Sequence, residues 1–125
     1  MAILPDIVLD ILAASDSITM LSTVDEKGKP NVVIISTVAV IDLETIAFAD
    51  MCLNQTKKNL EKTGKLTITV TDSQNKAYQI QCTFIHFDTK TPLFDRWHTA
   101  VWNKMKIQFK GVALAKVDNV FSANL

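Results

Sequence analysis

Within seven residues, Asn54-Gln55-Thr56-Lys57-Lys58-Asn59-Leu60 gathers a hydroxyl and two adjacent ammonium groups. The segment follows a strand-like run, Thr45-Ile46-Ala47-Phe48-Ala49-Asp50, and opens a short helical pattern towards Lys62. Thr56 is the expected N-cap, because its hydroxyl can accept from a backbone N–H two or three residues on. Lys57 and Lys58 then fall where a helix already carries positive partial charge. Cations there cost roughly 0.3–1 kcal/mol each unless an anion sits nearby. A hydroxyl, free N–H groups and two cations around one helix start describe a phosphate cradle. The plainer alternative is a surface helix that tolerates two exposed lysines.

Other chemistries find less support. The three glycines fall in neither a GxGxxG nor a GxxxxGK[ST] pattern, so dinucleotide and P-loop sites are not expected. His86 and His98 lie on different elements with no Cys or carboxylate at ligand spacing, and no metal site is expected. There is no GxSxG elbow and no conspicuous acid pair, so no catalytic residue is assigned. Trp97, Val101 and Met105 share a helical face, with Trp102 close by. They read as a packing helix or as an aromatic wall for a flat ligand. Tyr78, entering a strand, divides the same way.

The elements that must hold these residues form one domain over residues 1–125. Hydrophobic residues make up 48% of the chain and charged ones 21%, which makes it globular, with apolar surface to spare for a subunit interface. Thirteen acids balance thirteen bases with no basic stripe, so nucleic acid is not expected as a partner. Cys52 and Cys82 form no disulfide framework. The N-terminal residues do not read as a signal peptide, and no apolar run reaches the ~20 residues a membrane helix requires. A cytoplasmic protein with no membrane partner is the expectation.

Pro5 precedes a packing helix in which Ile7, Val8, Ile11 and Leu12 share a face. A strand over Ile18–Val24 turns at Asp25-Glu26-Lys27-Gly28-Lys29-Pro30 into the long β-branched run Asn31–Ile41, read as one strand with both faces buried. Gly64 suits a helix C-terminus, and Lys65–Thr71 alternates cleanly. Ala77–Asp88 is strand-like with Tyr78, Ile80, Cys82, Phe84 and His86 on one side, a helix is expected over Leu93–Met105, and Gly111–Val117 closes the set. The fold class is mainly β (α+β). It is expected as a six-stranded antiparallel barrel with two or three short helices, since closure removes sheet edges.

Three stretches carry a family resemblance. They are Leu21-Ser22-Thr23-Val24-Asp25-Glu26-Lys27-Gly28-Lys29-Pro30-Asn31-Val32-Val33, Ala49-Asp50 leading to Gln55-Thr56-Lys57-Lys58-Asn59-Leu60, and Tyr78-Gln79-Ile80-Gln81. Together they resemble the pyridoxamine 5'-phosphate oxidase-like FMN-binding split-barrel group, above all its short members. The resemblance implies a split barrel, a homodimer and FMN in a cleft between subunits. It implies that Gln55, Thr56, Lys57, Lys58 and Asn59 hold the ribityl phosphate, while Val33, Ile34, Ile35 and Ser36 run along the isoalloxazine. The chain departs from the group in carrying Cys82 where glycine is frequent, in having Arg96 as its only arginine, and in lacking the C-terminal segment of the vitamin B6 oxidases. The function implied is an FMN-dependent oxidoreductase or small electron carrier. Alternatives are a binding module of the same fold for haem or a deazaflavin, or a scaffold without cofactor.

Overall fold

The computed structural model describes residues 3–50, 54–74, 76–105 and 110–123. Helix α1 (Asp6–Ala13) starts directly after extended Pro5 and carries Asp6 in its first turn, where a carboxylate suits the positive helix end. It buries Val8 and Ile11, whereas Ile7 stays 36% exposed, so the buried stripe is narrower than the expected four-residue face. Strands β1 (Ile18–Val24) and β2 (Pro30–Ile35) form a hairpin. Its turn is tied by Asp25 Oδ1, which accepts from the Lys27 and Lys29 N–H groups at 2.9 and 2.8 Å, while Gly28 takes the left-handed φ of 82° that the turn requires.

A second hairpin, β3 (Val38–Asp42) and β4 (Thr45–Asp50), leads to helix α2 (Gln55–Thr63). Strands β5 (Lys65–Thr71) and β6 (Ala77–Asp88), helix α3 (Pro92–Met105) and strand β7 (Gly111–Ser122) complete the chain. All pairings are antiparallel, in one sheet of order β2-β1-β5-β6-β7-β4-β3.

This corrects the expectation of six strands in a closed barrel. The run Asn31–Ile41 breaks at Ser36-Thr37, and its halves, β2 and β3, lie at opposite edges of a seven-stranded sheet. Two connecting residues span at most ~11 Å from Ile35 to Val38. Seven flat strands would hold their edges roughly 29 Å apart. The sheet therefore rolls until its edges approach, yet no ladder joins β2 to β3. A slit remains, and the Ala49 N–H pins the connection by donating to the Thr37 carbonyl at 3.0 Å. Within a single chain only one face of β2 is covered, and the expected burial of its other face would need a second layer or a partner subunit. Val33 and Ile35 turn inward, but Val32 is 59% and Ile34 75% exposed.

Inside the roll, Leu21, Ile46, Phe48, Ile68, Val70, Ile80 and Val117 are fully buried, joined by Val8 of α1 and Leu60 of α2. Irregular register along β6 changes which residues face this core. Ile80 and Cys82 are buried and Tyr78 and Phe84 pack against the core, as alternation requires. The ladder shifts between Phe84 and His86, leaving His86 outside and Phe87 inside, its ring 4.8 Å from that of Phe84. Trp97 of α3 packs beside Ala47, Ala49 and Val112. Cys52 and the side chains of Val101, Trp102 and Met105 lie outside the described residues.

Candidate functional site

Asn54, not Thr56, occupies the N-cap of α2, and it makes no side-chain capping bond. Thr56 is the second residue inside the helix and only 2% exposed. Its hydroxyl is taken up elsewhere, accepting from Asn31 Nδ2 of β2 at 2.9 Å. The tertiary bond outcompetes the local cap because it is sheltered from water. The first bond along the helix runs from the Lys58 N–H to the Asn54 carbonyl at 3.2 Å. Among the described residues no carbonyl receives the N–H groups of Gln55, Thr56 and Lys57, as at any helix start. At the far end Gly64 adopts φ 69° and donates to the Leu60 carbonyl at 3.0 Å, as expected of a glycine stop.

At about 100° per residue, the five candidate side chains cannot converge. Thr56 and Asn59 face inward with Leu60. Gln55 flanks this face on one side and Lys57 on the other, while Lys58 points away into solvent. Asn59, 2% exposed, donates from Nδ2 to the Thr23 hydroxyl of β1 at 3.0 Å and accepts from Gln55 Nε2 at 2.8 Å. The Thr63 hydroxyl donates to the Val24 carbonyl at 3.1 Å. Lys57 leans the opposite way, its Nζ 3.7 Å from the carboxylate of Asp50 and 5.1 Å from the centre of the Phe87 ring.

The β2 candidates extend away from this helix start. With ~3.3 Å per residue, Ser36 lies ~17 Å along the chain from Asn31. Val33 is half-buried, Ile34 exposed, Ile35 buried and Ser36 exposed, so their side chains share no single surface. What they share is backbone. β2 pairs with β1 alone, so alternate N–H and C=O groups point into the slit.

Two clefts bracket the strand. One of about 280 Å³ is lined by Asp25, Lys29, Pro30, Asn31, Gln55 and Asn59. Another, of about 240 Å³, lies at the β2–β3 connection beside Leu12, Ile18, Ile34, Ser36 and Val38.

Lys29, Asn31, Asp50 and Phe87 are functional candidates that sequence reasoning missed. Asn31 left a local signal, as a carboxamide at an inward position of a β-branched strand, and Lys29, Asn31 and Asp50 fall in the stretches that carry the family resemblance.

Cys82, at the position where the resembled group often carries glycine, points into the core beside Ile80 and Val117. Burial, with the charge of Asp118 adding to it, pushes its thiol up to about 12, so it is no nucleophile at neutral pH. Among the described residues no group of three His, Cys, Asp or Glu could hold a metal ion, and no helix is long and apolar enough to cross a membrane.

Solved structures similar to this chain share the arrangement. An FMN-binding protein from Syntrophomonas wolfei is 26% identical, with a TM-score of 0.79 over 92% of this chain and 82% of that one. HupZ from Group A Streptococcus is 22% identical, with a TM-score of 0.80 over 97% and 94% of the two chains. HutZ from Vibrio cholerae, described as a heme storage protein, is 15% identical, with a TM-score of 0.64 over 97% and 95%. The latter two carry the fold alone. No curated protein matches the chain. The model of the pyridoxamine 5'-phosphate oxidase family matches residues 7–120, nearly the whole chain, and the chain belongs to that family.

Proposed function

We propose that this protein binds FMN as a homodimer and serves as a flavin-dependent oxidoreductase or small electron carrier. In this reading the phosphate sits at the open end of α2, near Gln55, Thr56, Lys57, Lys58 and Asn59. The isoalloxazine lies along Val33, Ile34, Ile35 and Ser36, paired with the free backbone edge of β2. The observation that carries the reading is the bond from Asn31 to Thr56, because it fastens the strand offered to the ring to the helix offered to the phosphate. Free N–H groups and adjacent cations suit a phosphoryl dianion. An open strand edge suits a ring with alternating donors and acceptors. FMN would supply hydride or one-electron chemistry, and the chain's own part is to bind and orient it. Exposed Val32 and Ile34 on the same edge strand support a second subunit there.

Incubating the protein with FMN, removing unbound ligand and recording the spectrum tests this. Retained bands at roughly 370 and 450 nm, those of an oxidised flavin, are expected. Protein that stays colourless overturns the reading. A Soret band in protein as purified favours a haem-binding module instead, a reading to which the likeness to the heme storage protein lends support.

A further inference from the structure

Asp50 is a carboxylate that phosphate binding at α2 does not by itself require. It ends β4 and is 1% exposed, and its backbone is held in place by the Lys110 N–H, which donates to its carbonyl at 2.9 Å. Burying an ionised carboxylate is costly unless a cation compensates it. Lys57 is a cation that reaches it, at 3.7 Å, from the third position of α2. The ammonium also lies over the Phe87 ring, 5.1 Å from its centre. The Lys57 side chain nevertheless keeps 40% of its surface exposed. One cation is therefore held by a carboxylate and an aromatic face, with an open side beside a helix start. Its neighbour Lys58 points into solvent from a flexible stem.

From this difference we infer that Asp50 is a positioning residue for a phosphate monoester, acting through Lys57. A free lysine must give up much of its rotamer freedom when it grips an anion. A lysine already held by Asp50 and Phe87 has lost that freedom before the anion arrives. The ammonium still has donors to offer, since it carries three N–H groups and the carboxylate occupies one side of it. Lys57 thus bridges buried carboxylate and bound phosphoryl group, and Lys58 adds only a screened, mobile charge. The sequence distance between Asp50 and Lys57 spans the β4-to-α2 connection, so the pair also joins the sheet to the helix start.

This inference rests on the FMN reading above and deepens it, and one titration series separates the two. Dissociation constants for FMN and for riboflavin, which lacks the phosphate, are measured for the parent, Asp50→Asn, Lys57→Gln and the double variant. The parent is expected to prefer FMN. Asp50→Asn is expected to lower that preference about tenfold, the loss of one charge-assisted contact, with riboflavin affinity unchanged. In the Lys57→Gln background, Asp50→Asn is expected to change the preference no further.

A variant that merely loosens the fold would weaken both ligands alike and leave their ratio intact, which overturns the inference. A tighter grip on FMN by Asp50→Asn also overturns it, because Asp50 would then only repel the anion. A parent that binds riboflavin as well as FMN sinks the phosphate reading itself, before the variants are considered.

Discussion

Asn59 of α2 donates to the Thr23 hydroxyl of β1 at 3.0 Å, and both side chains are 2% exposed. The bond spans 36 residues of sequence and fixes the rotation of α2 on the sheet. With Asn31 on Thr56 and Thr63 on the Val24 carbonyl, it makes the helix start a rigid corner rather than a frayed end.

Breaking that bond strands a buried polar group. Thr23→Val is expected to cost about 1–3 kcal/mol, since Asn59 Nδ2 loses its acceptor out of reach of water. Thr23→Val combined with Asn59→Leu is expected to cost less than the sum of the two single changes, because neither partner is then left unpaired. Denaturant unfolding of the four proteins measures this.

The outer face of β2 is the expected dimer surface. Ile34, 75% exposed, makes little contact within its own chain. Ile34→Asp is expected to convert the protein to monomer in sedimentation experiments while changing monomer stability by only about 0.5 kcal/mol. A parent protein that sediments as a monomer and still retains flavin would refute this assignment.

Cys82 is expected to resist alkylation in the folded protein at pH 8. Its thiol is pushed up to about 12, chiefly by burial, so almost none is thiolate. Peptide-resolved mass spectrometry after iodoacetamide treatment separates it from Cys52. Labelling at the rate of an exposed thiol would contradict its placement in the core.

Asp88 starts the turn into α3. A hydrogen bond from the Thr91 side chain holds its carboxyl below the ordinary 3.8, helped by the Lys90 and Thr91 N–H groups and the charge of His86. A lowered folded value means the contribution to stability is present above pH 3.8 and fades as the pH falls through the folded value. Asp88→Asn is expected to remove this part of the acid dependence. Thermal melts of parent and variant from pH 6 to pH 2 check it.

Much of the fold is legible in the residues themselves. Asp25 and Gly28 mark the first turn, Gly64 ends α2, and the alternation of Leu66, Ile68 and Val70 sets the buried face of β5. The break at Ser36-Thr37 is not legible, because the run around it is β-branched and holds no glycine or proline to mark a bend. The bulge between Phe84 and His86 is hidden for a related reason, since an extra residue in a ladder depends on its partner, here β7. At the site, the helix start is visible locally, but Thr56 is claimed by Asn31, 25 residues away. Lys57 is likewise claimed by Asp50 and by Phe87 of β6, contacts that only the rolled sheet creates.

The most direct test is calorimetric titration of FMN into the parent and into the Thr56→Ala, Lys57→Gln double variant. Loss of two partners around the phosphoryl group is expected to weaken binding by about 2–4 kcal/mol. Equal affinities for the two proteins would contradict the placement of a phosphate at the start of α2.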